Sequence, residues 1–167
     1  GSFCYDYLMK KLYTAYLSYP SDVDSAIRVE YARAATTWKN KRTFDFKPMI
    51  PLWKVKLSDE YEHDLIPGVT LVDIEKLRNL KIKGYETREE TGYIFLVFDD
   101  TSSLSLCEVS GQLSQLMQVG DAEDHMPYGF EPHTSLIKQE PSVIGEIYAS
   151  LSHKLDGAMF TPAELVV

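Results

Sequence analysis

The sequence predicts an α+β fold with a mostly antiparallel sheet and helices packed outside it. Short runs rich in apolar, β-branched and aromatic residues alternate with segments of helical apolar spacing. Two such runs, 81–86 and 91–98, are separated by a short polar stretch, which is typical of an antiparallel hairpin. At 167 residues, with 44% hydrophobic and 25% charged residues, the composition is that of a globular protein. We expect one domain over 3–167, after a Gly-Ser start typical of a cloning scar.

The first third of the chain predicts a strand, a helix and a second strand. Residues 12–19 are rich in aromatics and suit a strand. A helix is expected from Ser21, with acidic residues in its first turn, where the helix dipole favours them. Its apolar stripe consists of Val23, Ile27, Tyr31, Ala34 and Trp38. Residues 44–57 alternate well enough for a strand, and 59–64 form an acidic turn.

The middle of the chain predicts a short strand before the hairpin. Residues 69–72 follow a Pro-Gly pair and read as that strand. Residues 73–80 suit one or two helical turns. In the hairpin, the second strand is almost wholly apolar, which favours a central place in the sheet.

A helix should follow the hairpin, with Ser105 as its N-cap. Glu108 stands three residues later, as in a capping box, and the apolar pair Leu104 and Val109 suits a hydrophobic staple. Gly120 offers a stop. A polar loop at 121–124, a strand containing residues 134–137, a helix at 142–155 and a strand at 159–167 complete the predicted order.

The net charge bears on the class of ligand, and the apolar runs and cysteines bear on the location of the protein. The net charge is −8, which argues against a long nucleic-acid duplex as ligand but not against a small nucleotide or short oligonucleotide. No apolar run approaches the ~20 residues of a membrane span, and no signal peptide is visible. The two cysteines, Cys4 and Cys107, favour free thiols in a reducing compartment, hence a cytoplasmic protein.

The most informative segment for function is 130–136, Phe-Glu-Pro-His-Thr-Ser-Leu. In a strand, side chains two residues apart point to the same face, so His133 and Ser135 should lie side by side. A titratable imidazole beside a hydroxyl donor forms half of a site that could handle a phosphate. No histidine is spaced with cysteines or carboxylates in a zinc pattern, and we expect neither metal nor cofactor.

From residue 81 onward, the element order and this motif resemble the 2H (two-histidine) phosphoesterases. The likeness covers roughly half of the chain: a hairpin, a helix, a Phe-x-Pro-His-x-Ser-apolar strand, a helix and a final strand. It implies a bilobed arrangement in which two such motifs face one cleft. One histidine then acts as general base and the other as general acid, while the hydroxyls hold the phosphate. His133 and Ser135 match the second motif.

The first motif departs from the family pattern. By its place relative to the hairpin, the best match is 68–71, which keeps a hydroxyl at Thr70 but has Gly68 where a histidine is expected. A third register, 53–55, has neither group. Either His63 is brought in by an irregular turn, as the second catalytic residue, or this half of the site has decayed.

The remaining candidates are open to two interpretations each. Tyr128 and Phe130 could stack a base or pack in the core, and Lys138 could reach a phosphate or stay exposed. His125 reads as a surface residue and His153 as a helix-end residue.

Three functions follow from these residues. The first is a metal-independent phosphoesterase acting on a 2',3'-cyclic phosphate or a 2',5'-linked oligonucleotide. The second is an inactive relative that binds a nucleotide, or a protein partner if the chain is part of a longer polypeptide. The third is an unrelated α+β interaction domain.

Overall fold

The computed structural model describes residues 10–38, 46–126 and 130–167, which form an α+β fold. Its strands are β1 (Lys10–Ser18), β2 (Met49–Ser58), β3 (Leu80–Arg88), β4 (Tyr93–Phe98), β5 (Glu123–Asp124), β6 (His133–Lys138), β7 (Met159–Phe160) and β8 (Leu165–Val166). Its α-helices are α1 (Ser21–Trp38), α2 (Glu62–Thr70), α3 (Asp100–Leu116) and α4 (Pro141–Ser150). Short 3-10 turns occupy Asp59–Tyr61 and Ile74–Lys76. The expected hairpin is confirmed as β3 and β4.

The strands form two antiparallel four-stranded sheets. The first sheet has the order β5-β2-β1-β8, and the second has the order β6-β4-β3-β7. Helix α3 packs on β2, and α2 packs on α3. Helix α4 packs on β3 and β4, and α1 contacts both β6 and α4. Fully buried aliphatic side chains join these layers, among them Leu17, Ile27, Ile50, Ile82, Ile94, Leu106, Leu113 and Ile144.

Strand β6 is anchored to the first sheet by a buried chain of hydrogen bonds. The Thr134 hydroxyl donates to the carbonyl oxygen of Met49 on β2, at 2.7 Å. A carbonyl can only accept, so the Tyr19 hydroxyl, 2.5 Å from Thr134 Oγ1, must be the donor in the second bond. Tyr19 and Thr134 are 4% and 1% exposed. The first bond holds the strand that carries His133 against β2, and the second holds it against the residue that follows β1.

Two predictions for the middle of the chain are wrong. Residues 69–72 are not a strand, because α2 runs to Thr70 and buries Leu65 and Val69, which lie four residues apart on one helical face. Helix α3 begins at Asp100, before the expected start. Its N-cap is Asp99, whose carboxylate accepts from the Ser102 amide.

The C-terminal predictions are too long. Helix α4 ends at Ser150, where the chain turns extended and the Ser152 amide and hydroxyl donate to the buried carboxylate of Glu30 on α1. The predicted strand at 159–167 is two short strands in different sheets, interrupted by Pro162, which has no N–H to donate.

Candidate functional site

Strand β6 presents His133 and Ser135 on the same face, as predicted from the alternation of side chains. Ser135 is exposed, His133 is half-buried, and Thr134 between them points into the core. Opposite them, β4 places Val97 beside His133 and Phe95 beside Ser135. The imidazole and the hydroxyl therefore lie on one surface, beside the apolar side chains of Val97 and Phe95 on β4.

A backbone hydrogen bond fixes the tautomer of His133. Its Nδ1 lies 2.7 Å from the carbonyl oxygen of Glu131, which cannot donate, so Nδ1 carries the proton. The edge of the Phe95 ring and the Phe130 ring flank the imidazole, at centroid distances of 4.6 and 6.4 Å. The neutral ring is thus held with Nε2 unprotonated and able to accept a proton.

The surroundings of His133 keep it neutral at physiological pH. Burial is the main cause that lowers its pKa below the ordinary value of 6.5. The cations of Lys54 and Arg88 lower the pKa further, against the opposing effect of the Glu131 bond and charge. A neutral imidazole with nearby cations suits a general base that acts beside a bound anion.

A β-bulge brings Lys138 to the same face. Ser135 pairs with Phe95 and Ile137 pairs with Ile94, so Leu136 is the extra residue in the ladder. Strict alternation would turn Lys138 inward. The bulge buries Leu136 and Ile137 together and leaves Lys138 exposed, with its ammonium 5.1 Å from the centre of the Tyr93 ring.

The β2–β5 pair supplies two residues that the sequence analysis did not assign to the site, Lys54 on β2 and His125 directly after β5. The His125 amide donates to the Lys54 carbonyl, which continues the pairing of β5 with β2. Directly opposed residues of an antiparallel pair point to the same face, so His125 lies on the side of Lys54. Within the described ranges, Lys54 forms no ion pair. Neither residue had a sequence signal, because the register of a two-residue strand cannot be predicted from the sequence.

The structure places His63 and Thr70 on α2 rather than on a strand facing β6. The His63 side chain is 77% exposed, and its Nε2 lies 3.5 Å from Asp64. The Thr70 hydroxyl donates to the Pro67 carbonyl within the same helix, at 2.8 Å. Their roles in a site remain predictions, and the expected opposed strand is absent at this position. Tyr128 lies outside the described residues.

An open groove of about 480 Å³ begins beside His133. Phe130, Glu131 and Pro132, which directly precede the histidine, form one wall, and the first turns of α3 form another. The lining residues are Lys83, Glu86, Val97, Phe98, Asp100, Ser103, Leu104, Cys107, Phe130, Glu131 and Pro132. Cys107 is a free cysteine on the surface of the groove. Partial burial against the groove raises the pKa of its thiol, and so does the negative charge of Glu131.

Comparisons with known proteins give no family. No protein-family model matches the chain, and no curated protein matches it significantly. Among the described residues, no group of three or more His, Cys, Asp or Glu side chains is placed to hold a metal ion. None of the helices in those ranges is long and apolar enough to cross a membrane.

Proposed function

We propose that this protein is a metal-independent phosphoesterase of the 2H type, with the two sheets as its two lobes. Its substrate would be a small nucleotide or a short oligonucleotide with a 2',3'-cyclic phosphate or a 2',5' linkage. The observation that carries the proposal is the His133–Ser135 pair, in which the imidazole is oriented by Glu131 and Nε2 is free to accept a proton.

His133 acts as the general base. In hydrolysis of a cyclic phosphate, Nε2 takes a proton from the attacking water as the water oxygen bonds to phosphorus. The bond from phosphorus to one ribose oxygen breaks, and that oxygen must receive a proton. Ser135 donates a hydrogen bond to a phosphoryl oxygen, and the cations of Lys54 and Arg88 stabilise the developing negative charge.

His125 is the candidate for the proton donor. His125 is exposed, and its backbone is hydrogen-bonded to that of Lys54. The charge of Lys54 in turn acts on His133, since it lowers the pKa of the imidazole. This assignment replaces His63, whose exposed side chain on α2 gives no support to a shared site. Lys138 and Phe130 remain candidates for contacts with the substrate phosphate and base.

The test measures turnover of cyclic-phosphate and 2',5'-linked substrates in the presence of a chelator. His133→Ala is expected to lower kcat by about 10²- to 10⁴-fold, the usual contribution of a general base. Ser135→Ala is expected to lower it by about 10²-fold, as for one lost charge-stabilising donor. His63→Ala is the matched control, because it removes an exposed histidine from α2 and should leave kcat unchanged. Full activity of His133→Ala would refute the proposal.

A second candidate function is nucleotide binding without turnover. The observation that favours it concerns β2. The β2 residue whose charge lowers the pKa of His133 is Lys54, not a histidine. A lysine there would hold a phosphate without supplying an imidazole acid. Nucleotide binding by the wild type that is lost in Lys54→Ala, with no turnover of either substrate, would establish this function instead.

A further inference from the structure

The groove beside His133 has the size and lining of a binding site for a small planar ligand. Its volume of about 480 Å³ lies in the usual range for small-molecule sites. Val97, Phe98, Leu104, Phe130 and Pro132 supply apolar walls. The groove is continuous with the proposed phosphate site, because Val97 pairs with His133 across the β4–β6 ladder and Phe130 contacts the imidazole.

The charges around the groove differ from those around His133. Three carboxylates line it, from Glu86, Asp100 and Glu131, with Lys83 as the single cation. Glu86 pairs with Lys83 at 3.8 Å, and Glu131 pairs with Arg88 at 3.7 Å. Asp100 has no ion pair within the described ranges. Carboxylates repel a phosphate and accept hydrogen bonds, so the groove favours a neutral ring that carries N–H donors.

We infer that the groove binds an amino-bearing nucleobase, adenine, cytosine or guanine but not uracil, of a nucleotide whose phosphate lies at His133. The inference rests on the proposed function for the position of the phosphate. The exocyclic amino group donates to a carboxylate, with Asp100 as the unpaired acceptor. Uracil presents two carbonyl oxygens beside its one N–H, and the carboxylates repel them. The subsite therefore selects among bases and not only among phosphates.

The first test compares binding of the 3'-monophosphates of cytidine, adenosine and uridine by calorimetry. The cytidine and adenosine compounds are expected to bind about tenfold more tightly than the uridine compound, the effect of one hydrogen bond to a charged acceptor. Asp100→Ala should abolish this preference, while Glu108→Ala, on the same helix but outside the groove, should keep it. Equal affinities for all three nucleotides in the wild type would overturn the inference.

The second test fills the groove. Cys107→Trp is expected to remove the preference among bases and to leave binding of inorganic phosphate unchanged, with Gln112→Trp on α3 as control. In a Cys4→Ser background, cytidine monophosphate should slow alkylation of Cys107 by iodoacetamide, measured at mildly alkaline pH because burial raises the pKa of this thiol. Unaltered alkylation at saturating nucleotide would contradict occupancy of the groove.

Nucleosides separate this inference from the proposed function. If cytidine binds more tightly than uridine and depends on Asp100, the base subsite stands even when phosphate fails to bind at His133. If inorganic phosphate binds and depends on His133 but the three nucleotides bind alike, the proposed function stands and the base subsite is wrong.

Discussion

Replacing Thr134 by valine is expected to destabilise the protein more than replacing Tyr19 by phenylalanine, although each change removes one hydroxyl group. The two hydroxyls form a directed chain in which Tyr19 donates to Thr134 and Thr134 donates to the Met49 carbonyl. Tyr19→Phe removes the first donor and leaves the second bond intact. Thr134→Val removes the middle of the chain, so the Tyr19 hydroxyl loses its acceptor and Met49 loses its donor in a buried site.

The expected magnitudes follow from the number of groups left unpaired. Tyr19→Phe loses one neutral hydrogen bond and should lower the free energy of unfolding by about 1 kcal/mol. Thr134→Val loses two bonds and leaves a buried donor and acceptor unsatisfied, which should cost about 3 kcal/mol. For a chain of this size, a difference of about 2 kcal/mol corresponds to about 4–8 °C in Tm.

The assay is urea unfolding of the wild type, both single variants and the double variant, followed by tryptophan fluorescence and circular dichroism. In the Thr134→Val background, Tyr19→Phe removes the orphaned hydroxyl, so it should stabilise the protein there instead of destabilising it. The same cost for Tyr19→Phe in both backgrounds, or a smaller loss for Thr134→Val than for Tyr19→Phe, would refute the hydrogen-bond chain as the link between β6 and β2.

Three further outcomes are expected. Burial lowers the pKa of His133 below 6.5, so as the pH falls through 6.5 the unfolded chain takes up this proton before the folded chain does. The free energy of unfolding should therefore fall as the pH is lowered from 7 to 5, and His133→Gln should reduce this slope in urea titrations. Asp99→Ala should cost about 1 kcal/mol as the loss of the α3 N-cap, whereas Ser105→Ala, whose hydroxyl donates within the helix, should change the urea midpoint little. Gly68→Ala should lower the free energy of unfolding by about 1–3 kcal/mol, because the added Cβ would lie 2.8 Å from the Leu116 carbonyl oxygen. This cost should outweigh the better helix propensity of alanine, and an unchanged urea midpoint would contradict the close packing.

The parts of the fold with strong local patterns could be predicted from the sequence. The segment at 130–136 predicts β6, and strand geometry then gives the shared face of His133 and Ser135. The helical spacing from Ser21 predicts α1. The hairpin of β3 and β4 follows from two apolar runs close in the chain. In each case the signal lies within a few residues of the element it predicts.

The remaining parts depend on contacts distant in sequence. Residues 69–72 are apolar enough for a strand, but burial of Val69 with Leu65 against the core selects a helix. The position of His125 beside Lys54 depends on two residues of β5 adding to β2, and such a short pairing has no pattern of its own. The strand expected to carry the first motif, at Gly68 and Thr70, is absent for the same reason, because packing of this segment selects a helix. A role of Thr70 in a site stays a prediction.

The pairing of β8 with β1 has a consequence for the folding kinetics. Leu165 pairs with Leu17, and Val166 pairs with Tyr16, so the first sheet joins residues from the two ends of the described chain. Closing so long a loop carries a large entropic cost, and contacts of high sequence separation form late and slowly. The β1 edge that β8 covers must therefore stay unpaired while the rest of the sheet assembles. During that interval it offers free N–H and C=O groups to other chains, which makes this edge the point where misassembly would begin.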